Sequence, residues 1–101
     1  MKLNLPELVN YHDQQIASRS LAKKLGITAQ MLVYALDEGE SISQESSSQV
    51  KLIEVLEGDL AVELADETKE TLSALDLLTI PAGQKHGLMA LTRCKFLQLE
   101  L

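Results

Sequence analysis

Apolar and polar residues alternate with a period of two through much of the second half of the chain. Leu60, Val62 and Leu64 alternate with Ala61 and Glu63. In the last segment Leu97, Leu99 and Leu101 fall on one face and Phe96, Gln98 and Glu100 on the other. Successive side chains of a strand point to opposite faces, so this is the pattern of half-buried strands. Leu52 to Glu57 is an apolar run closed by the turn signal Glu57-Gly58-Asp59, and Leu77 to Ile80 is a shorter run stopped by Pro81-Ala82-Gly83. Glu70 to Ala74 alternates again after the polar turn Ala65 to Thr68. Short strands at this spacing predict an all-β sandwich or barrel with mostly antiparallel strands. Ser41 to Gln49 is polar and serine-rich and predicts a loop.

Two stretches carry a competing period. Leu72, Leu75 and Leu78 share one helical face within Asp66 to Leu78. Ser20 to Leu36 places Ala22, Gly26, Leu32 and Ala35 at the spacing of a helix-turn-helix and carries Lys23 and Lys24, with Arg19 just before it. A DNA-binding segment at 20–36 is therefore an alternative to strands over the same residues.

Composition narrows the choice. The 101 residues form one domain, 1–101, with 46% apolar residues and only three aromatics, so Leu, Ile, Val, Ala and Met must build the core. The formal charge of −6 disfavours nucleic acid and anionic membranes as general partners. No apolar run approaches the roughly 20 residues of a membrane span. With the single Cys94, these features point to a cytoplasmic protein without an internal disulfide.

The block from Lys51 to Leu101 resembles the two signature regions of small single-domain cupins of the RmlC-like superfamily. Val55-Leu56-Glu57-Gly58 matches the end of the first motif, and Pro81, Gly83 and His86 match Pro-x-Gly-x-x-His of the second. Ser18-Arg19-Ser20-Leu21 and Ala35 to Gly39 resemble the early strands. The resemblance implies a double-stranded β-helix, or jelly-roll, barrel. Independently of the family, Pro81 lacks the donor that a strand ladder needs and Gly83 permits the positive φ of a tight turn. His86 then opens the returning strand towards the barrel mouth.

Metal-binding cupins take two His and a Glu from the first motif and a His from the second. Carried over residue by residue, the first-motif positions fall on Glu45, Ser47 and Lys51, and only His86 keeps its type. Serine is a poor ligand and an ammonium repels a cation, so the family site is degenerate and no tightly bound metal or other cofactor is expected. A reduced divalent site from His86, Glu45 and Gln49 is the alternative. The expected ligand pocket is His86, Glu45, Ser47, Lys51 and Gln98. Lys51 reads as a solvated strand-start lysine, or else as an ammonium that binds a ligand carboxylate. Gln98 lines the interior or lies on an exposed edge. Glu54 faces solvent or, failing that, the pocket. His12 beside Asp13 reads as exposed, Cys94 between Arg93 and Lys95 as structural, and Met31 and Met89 as core.

Together these readings predict a small-molecule-binding cupin, leaning away from catalysis and forming a homodimer through its leucine-rich apolar surface and edge strands. The alternatives are a metal-dependent oxygenase or isomerase acting on a small organic acid, and the helix-turn-helix.

Overall fold

The computed structural model describes all 101 residues. Its elements run β1 (Ile16–Ser20), α1 (Ala22–Leu25), β2 (Gln30–Leu36), β3 (Ser41–Glu45), β4 (Lys51–Glu57), β5 (Leu60–Leu64), β6 (Lys69–Leu72), β7 (Leu77–Ile80), β8 (His86–Ala90) and β9 (Cys94–Glu100), after a single 3-10 turn at Leu5–Leu8. The strands form a five-stranded sheet in the order β1-β2-β9-β4-β7 and a four-stranded sheet in the order β3-β8-β5-β6. Every pairing is antiparallel. The all-β jelly-roll expected from sequence is present. The two sheets face one another, as in a jelly-roll, without joining into one hydrogen-bonded ring, and leave edges at β1, β7, β3 and β6. No helix is long and apolar enough to cross a membrane.

The alternation read from sequence sorts the residues between the two faces. Leu36, Ile53, Val55, Leu60, Val62, Leu72, Ile80, Leu88, Ala90, Cys94 and Phe96 form the interior between the sheets, with Tyr34 packed against them. Tyr34 and Phe96 face each other across β2 and β9 and stack with ring centroids 4.8 Å apart. A second cluster lies on the outer face of the five-stranded sheet, where Val33, Ala35 and Leu97 are covered by Leu5, Leu8, Val9 and Tyr11 of the N-terminal segment and by Leu21 and Leu25. The sheet is thus buried on both faces where this segment crosses it.

Three expectations fail here. The helix-turn-helix is overturned: only one helical turn, Ala22–Leu25, lies within 20–36, and Gln30–Leu36 is a strand paired on both sides, with β1 and β9. Met31, Leu32, Val33 and Tyr34 are consumed by sheet pairing, which outweighs the local helical spacing. Ser41–Glu45 is strand β3 rather than loop, because its backbone finds a partner in β8. Met89 is 45% exposed, since it points outward from β8 between the inward Leu88 and Ala90, whereas Met31 is half-buried against the outer cluster.

Gly58 turns β4 into β5 at φ +80, and a side-chain carbon there would come within 2.8 Å of Cys94 Cα and overlap the Arg93 carbonyl. Opposite this turn, Arg93 joins three parts of the chain. Its Nε donates to Asp37 Oδ1 at 2.8 Å and its Nη2 to Asp13 Oδ1. Asp37 also accepts the Gln14 amide at 2.7 Å and the Glu38 amide at 2.9 Å. The Gln14 amide chiefly, then the guanidinium and the Glu38 amide, hold the Asp37 carboxyl at about 2, below its ordinary 3.8. A carboxyl depressed in the folded state contributes stability above its unfolded value and loses it as pH falls through its folded value. Asp37→Asn should therefore lower the thermal midpoint at pH 7, and the gap to the parent should close between about pH 4 and pH 2, as followed by circular dichroism melts across that range.

Candidate functional site

At one end of the sandwich the inward positions turn from apolar to polar. The last inward row of the five-stranded sheet runs Gln30, Glu100, Lys51, Ile80 across β2, β9, β4 and β7. The row beneath it contains Leu32, Gln98, Ile53 and Leu78. On the facing sheet, His86 lies between Glu45 of β3 and Leu64 of β5. A β-bulge in β3 sets this register: Ile42 pairs with Leu88, but Glu45, not Gln44, meets His86. Regular pairing would have placed the Gln44 amide there.

Lys51 is the centre of the cluster. It is 1% exposed, and its Nζ lies 2.8 Å from His86 Nε2, 3.1 Å from Glu45 Oε1 and 3.6 Å from Glu100 Oε1. His86 is equally buried, and its Nδ1 lies 3.1 Å from the Gln84 carbonyl. The two contacts fix the imidazole's role: Nδ1–H donates to the carbonyl and the Nε2 lone pair accepts from the ammonium. A fully buried ammonium is costly unless charge-paired and hydrogen-bonded, and here it has both an imidazole and carboxylates. Glu45 is half-exposed and Glu100 about one-fifth exposed, so each reaches inward from the rim. Tyr34 completes the surroundings. Its hydroxyl is pushed up by burial first, then by the charges of Glu45 and Glu100.

The predicted pocket residues separate into two groups. Lys51, His86 and Glu45 come together, and Gln98 is buried on the inner face one row below, which settles its placement as interior. Ser47 does not join them. Its hydroxyl accepts the Gln49 amide at 3.0 Å and its carbonyl accepts the Gly83 amide at 2.7 Å, so it ties the β3–β4 connection to the Pro81–Gly83 turn. Gln49 is exposed and lines a cleft outside the cluster. The solvated reading of Lys51 is overturned: the first inward position of β4 faces the interior, and acceptors from three other strands satisfy its charge there. His12 is exposed, as read from sequence. Glu54 is half-buried on the opposite face of β4, away from the pocket. Cys94 is fully buried beside Phe96, and burial, then Asp59 and Glu57, pushes its thiol up to about 12. Arg93 and Lys95 are drawn to the outer side, where Lys95 Nζ donates to the Pro6 carbonyl and both cations lie over the Tyr11 ring.

Glu100 and Tyr34 were missed as site residues. The sequence signal for Glu100 was its place with Phe96 and Gln98 on the inward face of the last strand. Glu100 also joins the cluster to a cleft of about 420 Å³ lined by Thr28, Ala29, Gln30, Gln49, Glu100 and Leu101. A second groove, of about 300 Å³, lies on the outer face of the four-stranded sheet over Gly87, Ala61 and Met89. It is the more apolar of the two, but it is separated from the cluster by the sheet itself.

The donor set does not fit a divalent ion. No three His, Cys, Asp or Glu side chains are placed to hold one, and the point where Glu45, His86 and Glu100 converge is filled by the Lys51 ammonium. Replacing Lys51 by Met keeps the volume but strands the buried His86 Nε2 without a donor. A loss of about 2 kcal/mol is expected in urea unfolding, and adding His86→Leu should recover part of it.

No family model and no curated protein matches the sequence. Solved structures do. A cupin superfamily protein from Desulfitobacterium hafniense is 29% identical, with all of this chain and 90% of that one aligned at a TM-score of 0.91. A conserved protein of unknown function from Streptococcus pyogenes is 23% identical over all of this chain and 86% of its own, at 0.89. A G106A variant of salicylate 1,2-dioxygenase from Pseudoaminobacter salicylatoxidans shares the architecture more distantly, with 17% identity over 84% of this chain and 26% of its own, at 0.76. The same fold thus occurs in an enzyme and in proteins without an assigned role.

Proposed function

We propose that this chain, a cupin by fold, is a metal-independent binding module for a small hydrophilic molecule, taken up at the polar end of the sandwich. The observation that carries this reading is the Lys51–His86–Glu45–Glu100 cluster opening through Glu100 onto the outer cleft. The cleft volume is in the range of small-ligand sites. Its lining has no basic side chain, and the single ammonium behind it is already engaged by two carboxylates and an imidazole. With one cation against two carboxylates and a neutral imidazole, the site carries a surplus of one negative charge. A ligand carboxylate would have to displace Glu45 or Glu100 from Lys51, so the ligand is a neutral polyol or a cationic amine rather than an organic acid. No group in the cluster is free to serve as nucleophile, which favours binding over turnover. The single buried thiol suits a reducing, cytoplasmic setting.

A nuclear magnetic resonance screen with matched sets of polyols, amines and carboxylates tests this. Polyols or amines should shift the amides of Gln30, Gln49 and Glu100, and Glu100→Gln should weaken the binding about tenfold. Binding confined to carboxylates, or unaffected by Glu100→Gln, would sink the reading.

A homodimer is part of the same proposal. On the outer face of the five-stranded sheet, beyond the N-terminal segment, Met31, Leu99, Leu52 and Thr79 form a row across β2, β9, β4 and β7. Leu77, 59% exposed, lies on the same face of edge strand β7, and a second copy would bury this band. Light scattering should give about twice the 11.1 kDa chain mass, and Leu52→Glu should return the monomer.

A further inference from the structure

Glu100 is the one member of the cluster whose side chain has no hydrogen bond. Its Oε1 stands 3.6 Å from Lys51 Nζ, beyond hydrogen-bond reach, whereas His86 Nε2 and Glu45 Oε1 lie 2.8 Å and 3.1 Å from the same ammonium. Two of the three Lys51 donors are thus already given away. The Glu100 carboxylate is 20% exposed and lines the outer cleft with Thr28, Gln30 and Gln49, where no side chain is basic. An ionised carboxylate only accepts, and no donor of this chain is within reach of it. Gln98 lies beneath it on the same inward face of β9 and is only 4% exposed. Its amide makes no hydrogen bond within the chain, and no unpartnered side-chain polar atom of the interior is sealed from solvent. The amide therefore faces solvent-reachable space between the sheets, where so buried a polar group calls for a partner. We propose, on the reading that this end takes up a small hydrophilic molecule, that the ligand is a hydroxylated primary amine, its ammonium held by the Glu100 carboxylate and its hydroxyl by the Gln98 amide.

Charge selects the amine over the plain polyol. One ammonium stands against two carboxylates, and the imidazole that accepts from it is neutral. The Tyr34 hydroxyl registers that surplus: burial chiefly, then the charges of Glu45 and Glu100, push its titration up. The same negative field favours a ligand that brings a positive charge. A polyol hydroxyl would hydrogen-bond Glu100 and leave its charge uncompensated, whereas an ammonium supplies three donors and the charge together. Spacing selects the hydroxyl. Residues two apart on one face of a strand are separated by about 7 Å, which a three-carbon molecule bridges with a hydrogen bond at each end. Gln98 is then the residue that separates a hydroxylated amine from a simple alkylamine.

The test is a chemical-shift titration of the full chain with four probes of similar size: aminopropanediol, glycerol, glycerate and propylamine. Aminopropanediol should bind about tenfold or more tightly than glycerol. Raising sodium chloride from about 0.02 to about 0.5 M should weaken the amines and leave glycerol unchanged. Glu100→Gln should cost aminopropanediol about tenfold. Gln98→Met, which keeps the volume, should cost it about threefold to fivefold while propylamine stays within about twofold. Glycerol bound as tightly as aminopropanediol would overturn the amine and leave a site for neutral hydrophilic molecules standing. Binding of none of the four, or of glycerate alone, would remove both. An equal loss of the two amines in Gln98→Met would overturn the part given to Gln98. The probe comparison and the salt series use the unaltered protein, so a variant that failed to fold would still leave the amine decided by them.

Discussion

A positive charge with almost no access to water must be surrounded by acceptors, and at Lys51 that demand organises one end of the molecule. Desolvating an ammonium costs several kcal/mol even after relaxation, and the expense is offset only by good geometry. The chain meets it with strands that are distant in sequence: β4 carries the lysine, β3 and β9 the carboxylates, and β8 the imidazole. Each must hold its register for the four groups to meet. The apolar interior of leucine, isoleucine, valine and one stacked Tyr34–Phe96 pair tolerates volume-conserving exchange. The polar cluster does not, because Glu45, His86 and Glu100 each meet Lys51.

The opposite end is held by the same kind of device on the outside. Arg93 joins the N-terminal segment, the turn after β2 and the turn before β9, while Lys95 and Tyr11 fasten the segment over the sheet. These ions remain nearer water and carry a smaller desolvation cost than the buried cluster. Their role is to keep the apolar segment from Leu5 to Tyr11 seated on Val33, Ala35 and Leu97.

Much of the architecture was legible in the sequence, for identifiable reasons. The strands β5 and β7 were read with the bounds that the structure has, because apolar alternation and the Gly58 and Pro81–Gly83 turns leave little freedom. His86 was placed correctly at the start of β8 by the same turn. Residues 20–36 were ambiguous because a helical spacing and a strand period coexist there, and only pairing with β1 and β9 decides between them. Ser41–Glu45 looked like a loop because a strand at a sheet edge needs no apolar pattern, only a partner. Within the site, composition argued for a solvated lysine, since burial of that residue type is rare without partners. The partners came from Glu45, through a bulge that no local signal announces, and from Glu100, at the far end of the chain.

The extra residue in β3 also makes the pocket's charge a matter of alignment. Sliding that strand by one position against β8 would exchange the Glu45 carboxylate for the Gln44 amide opposite His86, with no change of sequence. Loss of Ser43 or Gln44 from the chain would instead absorb the bulge and leave Glu45 in place. In descendants of this chain, the pocket is thus more robust to shortening of β3 than to a slip of it, and the spare residue is slack in the strand that carries one of its charges.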